Sequence, residues 1–583
     1  MIDLGVHKLA EAYQSGEARP LEVLEQVYAN IESNGQFPVW IALNPFESAL
    51  AALRVAESRV ARGPLFGVPF AVKDNIDVAG LPTTAGCAEF SYIPERNSFV
   101  VDRLTEAGAI PIGKTNLDQF ATGLVGTRSP YGICASIFDS RYISGGSSSG
   151  SAVAVARGDV SFALGTDTAG SGRVPAAFNG LVGLKPTRGV LSTSGVVPAC
   201  RSLDCVSIFA TSLEDAERVF SAGIGFDAQD PFSRQGNFMA TTGRPLLRIG
   251  VPDSSGLEFF GDSESEALYR EAIAHLVHLG HKTVQFDLKP FRQVADLLYQ
   301  GPWVAERLAA LGNFMGEKPE AVHPVVRSII EGARRYSASD AFRAVYELAR
   351  LRRIIEPLWE MIDAIVLPTV PTHYTIEAVL GDPIILNQNL GYYTNFTNLL
   401  DLCALSLPAG HKKSGLPFGI TWLAPAHHDR RLIEYARAAQ GTTRRESSTV
   451  ALGQVRLAVA GAHLSGQPLN GQLVSRQARL VATTATAAQY RLYALNTVPP
   501  KPGLVHAPDA AGQSIEVEVW ELDERAFGSF VAEVPAPMTI GTTRLIDGSQ
   551  VKGFCCEPHA LTGARDITQF GGWRNYLASN AAS

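Results

Sequence analysis

The sequence predicts a layered α/β domain followed by a smaller β-rich domain of the α+β class. Over about the first 440 residues, amphipathic helical patterns alternate with short, continuously apolar segments, which is typical of helices packed on a central sheet. From about residue 455, short segments with a two-residue apolar alternation take over, which indicates half-buried strands. The chain has 583 residues, 46% of them hydrophobic, and is long enough to bury more than one core.

The elements of the first domain follow from these patterns in chain order. Two amphipathic helices at the N-terminus precede the strand FPVWIALNP and a helix around ALAALRVAESRVARG. An apolar strand then ends at Lys73, and DRLTEAGAIPIGKTNLDQF predicts a helix with an embedded strand and turn, IPIGKTN. Helical patterns with one strand, LLRIGVP, dominate from about Glu214 to Arg353. Two buried strands, DAIVLPTVP and GLPFGITWLAP, are predicted after them.

The second domain is predicted from residue 455 to residue 583, after a polar linker at residues 441–454. Within it, VRLAVAG, YRLYAL, IEVEVWELD and TRLIDGSQVKGF predict short strands. The Asp547-Gly548 dipeptide inside the last segment predicts a hairpin turn. At most one helix is expected, around DERAFGSF.

Charge and composition exclude several classes of partner. The net charge is −7 and no block of like charges occurs, which disfavours nucleic acid and anionic membranes and favours a small-molecule partner. The seven cysteines are odd in number and scattered, so we expect a reducing compartment, no metal and no cofactor. The N-terminus lacks a signal segment, and no apolar run reaches the ~18 residues of a membrane span. We therefore expect a soluble, cytoplasmic protein.

Two Gly/Ser-rich loops around one apolar segment, residues 143–171, carry the expected chemistry. The segment ISGGSSSGSAVAVARGDVSFALGTDTAGS supplies serine hydroxyls, and its glycines let backbone N–H groups approach a reacting carbonyl. No histidine occurs between His7 and His275, which disfavours a local Ser-His-Asp triad. Lys73 ends an apolar strand, where burial favours the neutral amine that a base requires. The pattern therefore predicts a Ser-Ser-Lys site.

These motifs resemble those of the amidase signature hydrolases. The lysine of FGVPFAVKDN, the serine after GG in GGSSSGSA and the serine that closes GTDTAGS occur in the order and spacing of that family. By position, the resemblance implies that Lys73 is the base, Ser147 the relay and Ser171 the nucleophile. It also implies a mixed central sheet between helical layers and a cis peptide bond between Gly146 and Ser147.

The resemblance further implies an oxyanion hole made of backbone N–H groups. The expected donors are those of Thr168, Ala169, Gly170 and Ser171. Alanine at position 169 departs from the family's usual glycine but keeps the donor. Asp167 and Arg173 flank the nucleophile, and we prefer an ion pair that braces the loop over a catalytic role for them.

Over its whole length the chain resembles the allophanate hydrolases, a branch of that family with an additional C-terminal domain. The tail segments GAHLSGQPLNGQL and YRLYALNTVPPKPGLV carry this part of the resemblance. Members cleave allophanate, which is urea carboxylated on one nitrogen, to ammonia and N-carboxycarbamate. The resemblance implies that Tyr299 and Arg307 bind the substrate carboxylate and that Gly123 contacts the substrate. Arg128 is a weaker candidate, because it can simply brace its loop.

The role of the second domain is more open. His463, in the GAHLSG loop, titrates in a range suited to proton transfer. The resemblance implies a second step, decarboxylation of N-carboxycarbamate to carbamate. His463 is the candidate for proton transfer in that step because of its glycine-flanked motif, and the alternative is a structural histidine. Lys501 is interpreted as a solvated turn lysine. The layout of the tail also allows an analogy to γ-glutamyl cyclotransferase-like folds, at the level of fold alone. We expect a homodimer.

Two alternatives stay open. The chain can be an amidase of other specificity, or the glutaminase-type subunit of a tRNA-dependent amidotransferase, which would need partner proteins and does not carry this tail. The tail itself can instead be a non-catalytic module for interaction or dimerisation.

Overall fold

The computed structural model describes residues 2–59, 62–236, 238, 246–440, 454–497, 500–507, 512–546 and 549–581. The chain forms two compact units, which divide between residues 443 and 444. The predicted linker lies outside the described residues up to residue 453, and so does the Asp547-Gly548 dipeptide.

The first unit is built on an eleven-stranded sheet in the described part of the chain. Its strands are β1 Trp40–Leu43, β2 Pro69–Lys73, β3 Ile110–Thr115, β4 Phe162–Asp167, β5 Val182–Lys185, β6 Cys205–Ala210, β7 Arg248–Pro252, β8 Lys282–Phe286, β9 Ala364–Pro368, β10 Leu402–His411 and β11 Pro417–Pro425. Their spatial order is β1-β3-β2-β4-β6-β5-β10-β11-β9-β7-β8. Because β2 runs parallel to β3 and β4 while β4 and β6 pair antiparallel, the sheet is mixed, as predicted.

Helices surround this sheet. They are α1 Val6–Ser15, α2 Pro20–Asn34, α3 Phe46–Glu57, α4 Phe99–Glu106, α5 Ser149–Ala156, α6 Val174–Phe178, α7 Leu213–Gly223, α8 Ser263–His278, α9 Lys289–Tyr299, α10 Val304–Glu317, α11 Pro324–Glu331, α12 Ala338–Ile355, α13 Leu358–Met361, α14 Ile376–Gly381, α15 Ile385–Leu390 and α16 Asp429–Ala439.

Both faces of the sheet are covered by helices. Successive side chains of a strand point to opposite faces, and β2 follows this rule. Phe70 and Val72 join a core with α1, α4 and α7, whereas Ala71 joins a second core with α2, α3 and α5. The predicted layered α/β fold is therefore confirmed, and Lys73 is left at the carboxyl end of a strand buried on both faces.

Several strands of the first unit are absent from the sequence prediction, among them β5, β6, β8 and β10. Only one strand was expected between Glu214 and Arg353, but β8 also lies there, at the edge of the sheet. Most of its side chains are not buried, so its sequence KTVQF lacks an apolar signal. The strand β10 was also missed, although its first six residues are buried, and it pairs with β5 and β11 near the centre of the sheet.

The second unit has its own core and two sheets within the described residues. Its strands are β12 Gln454–Val459, β13 Arg479–Ala485, β14 Tyr490–Leu495, β15 Lys501–His506, β16 Glu516–Asp523, β17 Met538–Arg544, β18 Gln550–Cys556 and β19 Arg565–Asp566. The sheets have the orders β13-β16-β12-β18-β17 and β15-β14-β19.

The second unit contains more helix than expected. The predicted helix is present as α18 Glu524–Val531, but α17 Gly471–Val474 and α19 Trp573–Ala581 accompany it. The strands β17 and β18 are antiparallel neighbours on either side of the undescribed dipeptide. No helix in the described part of the chain is both long and apolar enough to cross a membrane.

Candidate active site

Lys73 lies fully buried at the end of β2, against two hydroxyl groups. Its Nζ donates hydrogen bonds to Ser147 Oγ at 2.8 Å and to Thr166 Oγ1 at 2.7 Å. Burial lowers the pKa of Lys73 to about 7, although the carboxylates of Asp118, Asp204 and Asp167 act in the opposite direction. A large share of this amine is therefore neutral near neutral pH and can accept a proton through Ser147.

Ser147 lies in the turn before α5, after a cis peptide bond from Gly146, as the resemblance implied. Glycine is required at position 146, because a Cβ there would collide with the Asp118 carboxylate and lie 2.5 Å from the backbone nitrogen of Gly126. The Ser147 carbonyl accepts a hydrogen bond from the Asp118 N–H at 3.0 Å. The turn is thus fixed from two sides.

Ser171 lies in the turn between β4 and α6. Its Oγ donates to the carbonyl of Gly123 at 3.4 Å. Among the described residues, no hydrogen bond joins the hydroxyls of Ser147 and Ser171. The structure therefore brings Lys73 and Ser147 into contact and places Gly123 against Ser171, but it does not form the contact between the two serines.

The expected oxyanion segment, residues 168–171, is only partly free to donate. The Gly170 N–H already donates to Asp167 Oδ1 at 2.9 Å, so this donor is engaged and does not fit the expectation. The N–H groups of Thr168, Ala169 and Ser171 have no hydrogen-bond partner among the described residues. These three are the available donors of the segment.

Asp167 and Arg173 form a buried ion pair that holds the turn of Ser171. Arg173 Nε lies 2.9 Å from Asp167 Oδ2, and the same carboxylate accepts from the N–H of Gly172 at 3.1 Å. Burial alone would raise the pKa of Asp167, but Arg173 and these donors outweigh it and lower the pKa. Arg173 also donates to Thr397 Oγ1 at 2.8 Å, which is the geometry of a brace.

Arg307 and Tyr299 meet near the Thr122-Gly123 dipeptide, which also contacts Ser171. The Arg307 guanidinium is 1% exposed and lies 5.0 Å from the Tyr299 ring centroid, and one of its nitrogens is 3.3 Å from the Tyr299 hydroxyl. Its Nε is 3.4 Å from Thr122 Oγ1, while Nη1 has no hydrogen-bond partner. No carboxylate of the described residues forms an ion pair with it. Thr122 directly precedes Gly123, so one dipeptide touches both Arg307 and Ser171.

Arg128 is a second buried guanidinium on the same loop. It donates to the carbonyls of Thr122 at 2.9 Å and Pro383 at 2.5 Å, which is the bracing role considered from the sequence. Burial lowers the pKa of Arg128, and the positive charge of Arg307 lowers it further. The loop around Thr122 therefore lies against two buried guanidiniums, and the Asp118 carboxylate is the negative charge that acts on Arg128 in the opposite direction.

Sequence reasoning missed three polar side chains of this site. Thr166 is a second partner of Lys73, and its position inside the GTD motif was the available signal. Asp118 accepts backbone N–H groups of residues 125, 126 and 128 and so shapes the loop of Gly123. Asp204 binds the Thr168 hydroxyl, and burial raises the pKa of its carboxyl to about 6.

In the second unit, His463 lines a cavity of about 170 Å³. Its Nε2 lies 2.9 Å from Gln472 Oε1, and its ring stacks on Phe554 with the ring centroids 4.9 Å apart. Burial lowers the pKa of His463. Lys501 is not a turn residue as expected, since it begins β15 and lines the same cavity as His463 and Glu533.

Residues 22–433 match the model of the amidase family. The chain belongs to the amidase family. Residues 455–578 of this amidase match the allophanate hydrolase C-terminal domain. The layered fold, the mixed sheet and the two units are those of an amidase-family protein with this additional domain.

Solved and curated relatives agree with this assignment. The structure of Kluyveromyces lactis allophanate hydrolase is similar to the amidase with a TM-score of 0.75 and 41% identity, covering 99% of each chain. Urea amidolyase of Saccharomyces cerevisiae is 43% identical over 97% of this amidase, which spans 32% of that relative's length. A glutamyl-tRNA(Gln) amidotransferase subunit of Symbiobacterium thermophilum is 35% identical, over 77% of this amidase and 99% of the relative.

Proposed function

We propose that this amidase hydrolyses allophanate to ammonia and N-carboxycarbamate through a Ser-Ser-Lys acyl-enzyme. The observation that carries the proposal is the buried guanidinium of Arg307, which has no carboxylate partner among the described residues and touches the same dipeptide as Ser171. A buried cation without a counterion favours a substrate that brings a carboxylate. The similarity to an allophanate hydrolase and to urea amidolyases supports the same substrate.

In the first half-reaction, Ser171 Oγ attacks the carbon of the terminal carboxamide. Its proton passes to Ser147, whose own proton passes to the neutral Lys73 amine. This relay requires the Ser171 hydroxyl to turn from the Gly123 carbonyl towards Ser147. The proton then returns to the departing nitrogen, the C–N bond breaks and ammonia leaves.

The negative charge that develops on the carbonyl oxygen needs donors already in place. We assign this role to the backbone N–H groups of Thr168, Ala169 and Ser171, and not to Gly170. In the second half-reaction, a water molecule attacks the acyl carbon and passes a proton through Ser147 to Lys73, and the same relay then returns this proton to the departing Ser171 Oγ. The ester bond to Ser171 breaks and N-carboxycarbamate is released.

The substrate carboxylate is assigned to Arg307 and Tyr299. Arg307 offers the free Nη1, and the Tyr299 hydroxyl lies beside Nη2. Arg128 adds positive charge beside Thr122, with Nη1 and Nη2 already donating to the carbonyls of Thr122 and Pro383. A charge-assisted pair at this point fixes both the register of the substrate and the distance of its carboxamide from Ser171.

The test is ammonia release from allophanate, malonamate, glutamine and simple amides by wild-type enzyme and Ser171→Ala. The variant should keep less than about a hundredth of the wild-type rate, because loss of a covalent nucleophile costs more than that. Ser161→Ala is the matched control, since Ser161 is buried just before β4 and its hydroxyl has no partner in the described structure. Preference for glutamine over allophanate would instead assign an amidotransferase-type glutaminase.

For the second unit we propose decarboxylation of N-carboxycarbamate to carbamate, with His463 as the proton donor. The supporting observation is the cavity that brings the His463 ring together with Lys501, whose ammonium suits a dianionic substrate. The competing proposal is an interaction module without chemistry.

We further propose a homodimer in the cytoplasm, with the amidase domain at residues 1–440 and the second domain at residues 455–583. The seven cysteines are unpaired, which supports a reducing compartment. Light scattering on purified protein tests the dimer.

A further inference from the structure

One loop of the first unit, residues 199–204, touches both ends of the proposed site. Its first anchor is on α10, the helix that carries Arg307. Glu306 accepts a hydrogen bond from the Ser202 N–H at 2.8 Å and another from the Ser202 hydroxyl. Glu306 is the immediate neighbour of Arg307, so this loop is fastened to the same helical turn that is proposed to bind the substrate carboxylate.

The second anchor of the loop is on the oxyanion segment. Asp204 accepts a hydrogen bond from the Thr168 hydroxyl and also from the N–H groups of Ala199 and Cys200, at 2.9 and 3.1 Å. The Asn398 side chain bridges the carbonyls at positions 203 and 167, at 2.8 and 2.7 Å. The loop is therefore tied directly to the segment to which we assign the oxyanion donors.

We propose that residues 199–204 act as a positioning loop that transmits occupation of the Arg307 site to the oxyanion segment, so that a substrate carboxylate raises kcat as well as affinity. Binding energy gained at a remote part of a substrate accelerates a reaction when it is used to orient the reacting groups. A carboxylate bound to Arg307 fixes the position of the adjacent Glu306, which is hydrogen-bonded to Ser202. At the other end of the loop, Asp204 is hydrogen-bonded to Thr168. This inference rests on the proposed function.

The test compares malonamate with its neutral amide, malonamide, in wild type and Glu306→Ala. With malonamate we expect kcat to fall at least about tenfold, while KM changes less than about threefold, because the contacts of Arg307 to Tyr299 and Thr122 do not involve Glu306. With malonamide, kcat should change less than about threefold. Equal losses of kcat on both substrates would show a structural role only and overturn the proposal.

Glu320→Ala is the matched control, because it removes the same charge from the same region. Glu320 is 88% exposed and pairs with Arg327 on the surface, so both substrates should keep their wild-type constants. If Glu320→Ala lost as much malonamate kcat as Glu306→Ala, the positioning role would be overturned, because removal of any negative charge would then explain the loss.

Two further variants keep the proposal testable if Glu306→Ala does not fold. Ser202→Ala keeps the backbone hydrogen bond to Glu306 and should reduce the malonamate kcat in the same sense but by less. Thr168→Val removes the hydroxyl bound by Asp204 and should lower kcat for malonamate. In the double variant with Glu306→Ala, Thr168→Val should lower kcat little further, because both substitutions interrupt the same connection between Arg307 and Thr168. Ser202→Ala replaces Glu306→Ala in this double variant if the latter does not fold. Multiplicative losses would overturn the proposal.

Arg307→Ala separates the two levels of the argument. Unchanged discrimination between malonamate and malonamide in this variant would remove the proposed carboxylate site itself. Lost discrimination in Arg307→Ala, together with equal effects of Glu306→Ala on both substrates, would leave that site in place and remove only the positioning loop.

Discussion

Among single residues, Lys73 shows how strongly burial changes the chemistry of a side chain. An ordinary lysine is charged at neutral pH, whereas burial brings the pKa of Lys73 down to about 7. In the unfolded chain this amine binds its proton up to about pH 10.5. Between these two values the unfolded state binds more protons than the folded state, so stability rises with pH across this interval.

Activity should follow the deprotonation of Lys73. We expect kcat/KM for allophanate to fall on the acid side with an apparent pKa near 7, because only the neutral amine accepts the relayed proton. Lys73→Arg should be inactive at every pH, since guanidinium does not give up its proton. The pH profile of ammonia release checks both statements.

Lys73→Met provides the matching stability measurement. It should be inactive but more stable than wild type near pH 7, and it should lose the rise of stability between about pH 7 and 10.5. An arginine variant with substantial turnover would mean that the lysine supplies only charge.

Arg307→Ala tests the assignment of the carboxylate. Removing a charge-assisted bond to a buried anion costs about 2 to 5 kcal/mol, so kcat/KM for allophanate and malonamate should fall by the corresponding factor. An uncharged amide leaves no unpaired carboxylate and should lose far less. Equal losses on charged and uncharged substrates would make Arg307 structural, with Arg128 the next candidate.

Lys73, Ser147 and Ser171 could be chosen as candidates from the sequence because each lies in a motif of neighbouring residues. The hydrogen bond of the Gly170 N–H to Asp167 could not be predicted, because it depends on which oxygen of Asp167 pairs with Arg173 and which is left for the turn. Asp204 could not be placed either, since its contact with Thr168 joins residues 36 apart in the chain.

Among the elements, α5 shows most directly how packing sets the site. This helix begins two residues after Ser147 and is buried over seven of its eight residues. A Cβ on Gly150 would lie 2.6 Å from both the Asn116 nitrogen and the Val39 carbonyl oxygen, so the helix approaches the neighbouring backbone as closely as glycine allows. Glycine is therefore required in the serine-rich segment for close packing as well as for turns.

Gly150→Ala should therefore displace α5 and the relay serine together. Overpacking of this kind costs about 1 to 3 kcal/mol, measurable by urea unfolding, and ammonia release should fall with it. Gly316→Ala is the control, because Gly316 lies in α10 with nothing within 4 Å of an added Cβ. Alanine there should leave activity unchanged and stabilise by up to about 1 kcal/mol. Equal stability of the two variants would contradict the packing argument.

Several strands with a strong apolar pattern were predicted from the sequence, but β10 was missed although its first six residues are buried. The strand β2 is apolar in every residue before Lys73. By contrast, β8 is an edge strand with mostly unburied side chains, and β19 has only two residues. Such strands are specified by pairing with an existing strand, which a local pattern does not encode.

In the whole molecule, each of the two units has an apolar interior of its own, and one reaction is proposed for each unit. The core of the second unit draws only on residues from 457 to 577, among them Leu457, Trp520 and Trp573. The second unit therefore has the apolar interior that a catalytic module needs, independent of the eleven-stranded sheet.

His463→Ala in the full chain should leave the first ammonia release unchanged and delay the release of carbon dioxide. The reason is that N-carboxycarbamate would accumulate when its proton donor is missing. Carbon-13 NMR of labelled allophanate would show the delay. His559→Ala is the control, since His559 is exposed and pairs only with Glu557 in the described structure. Simultaneous release in both variants would make the second unit an interaction module.

The order of strands in the large sheet determines when each strand of the growing chain can pair on the ribosome. The segment with Lys73, Ser147 and Ser171 is synthesised early, yet β5, which ends at Lys185, pairs on one side with β10, Leu402–His411. At about 5 to 20 residues per second, translation of the intervening chain takes roughly 10 to 45 seconds. During this time the nascent chain carries an open strand edge, which attracts other strands. Chaperone protection of the early chain is the expected requirement for high expression.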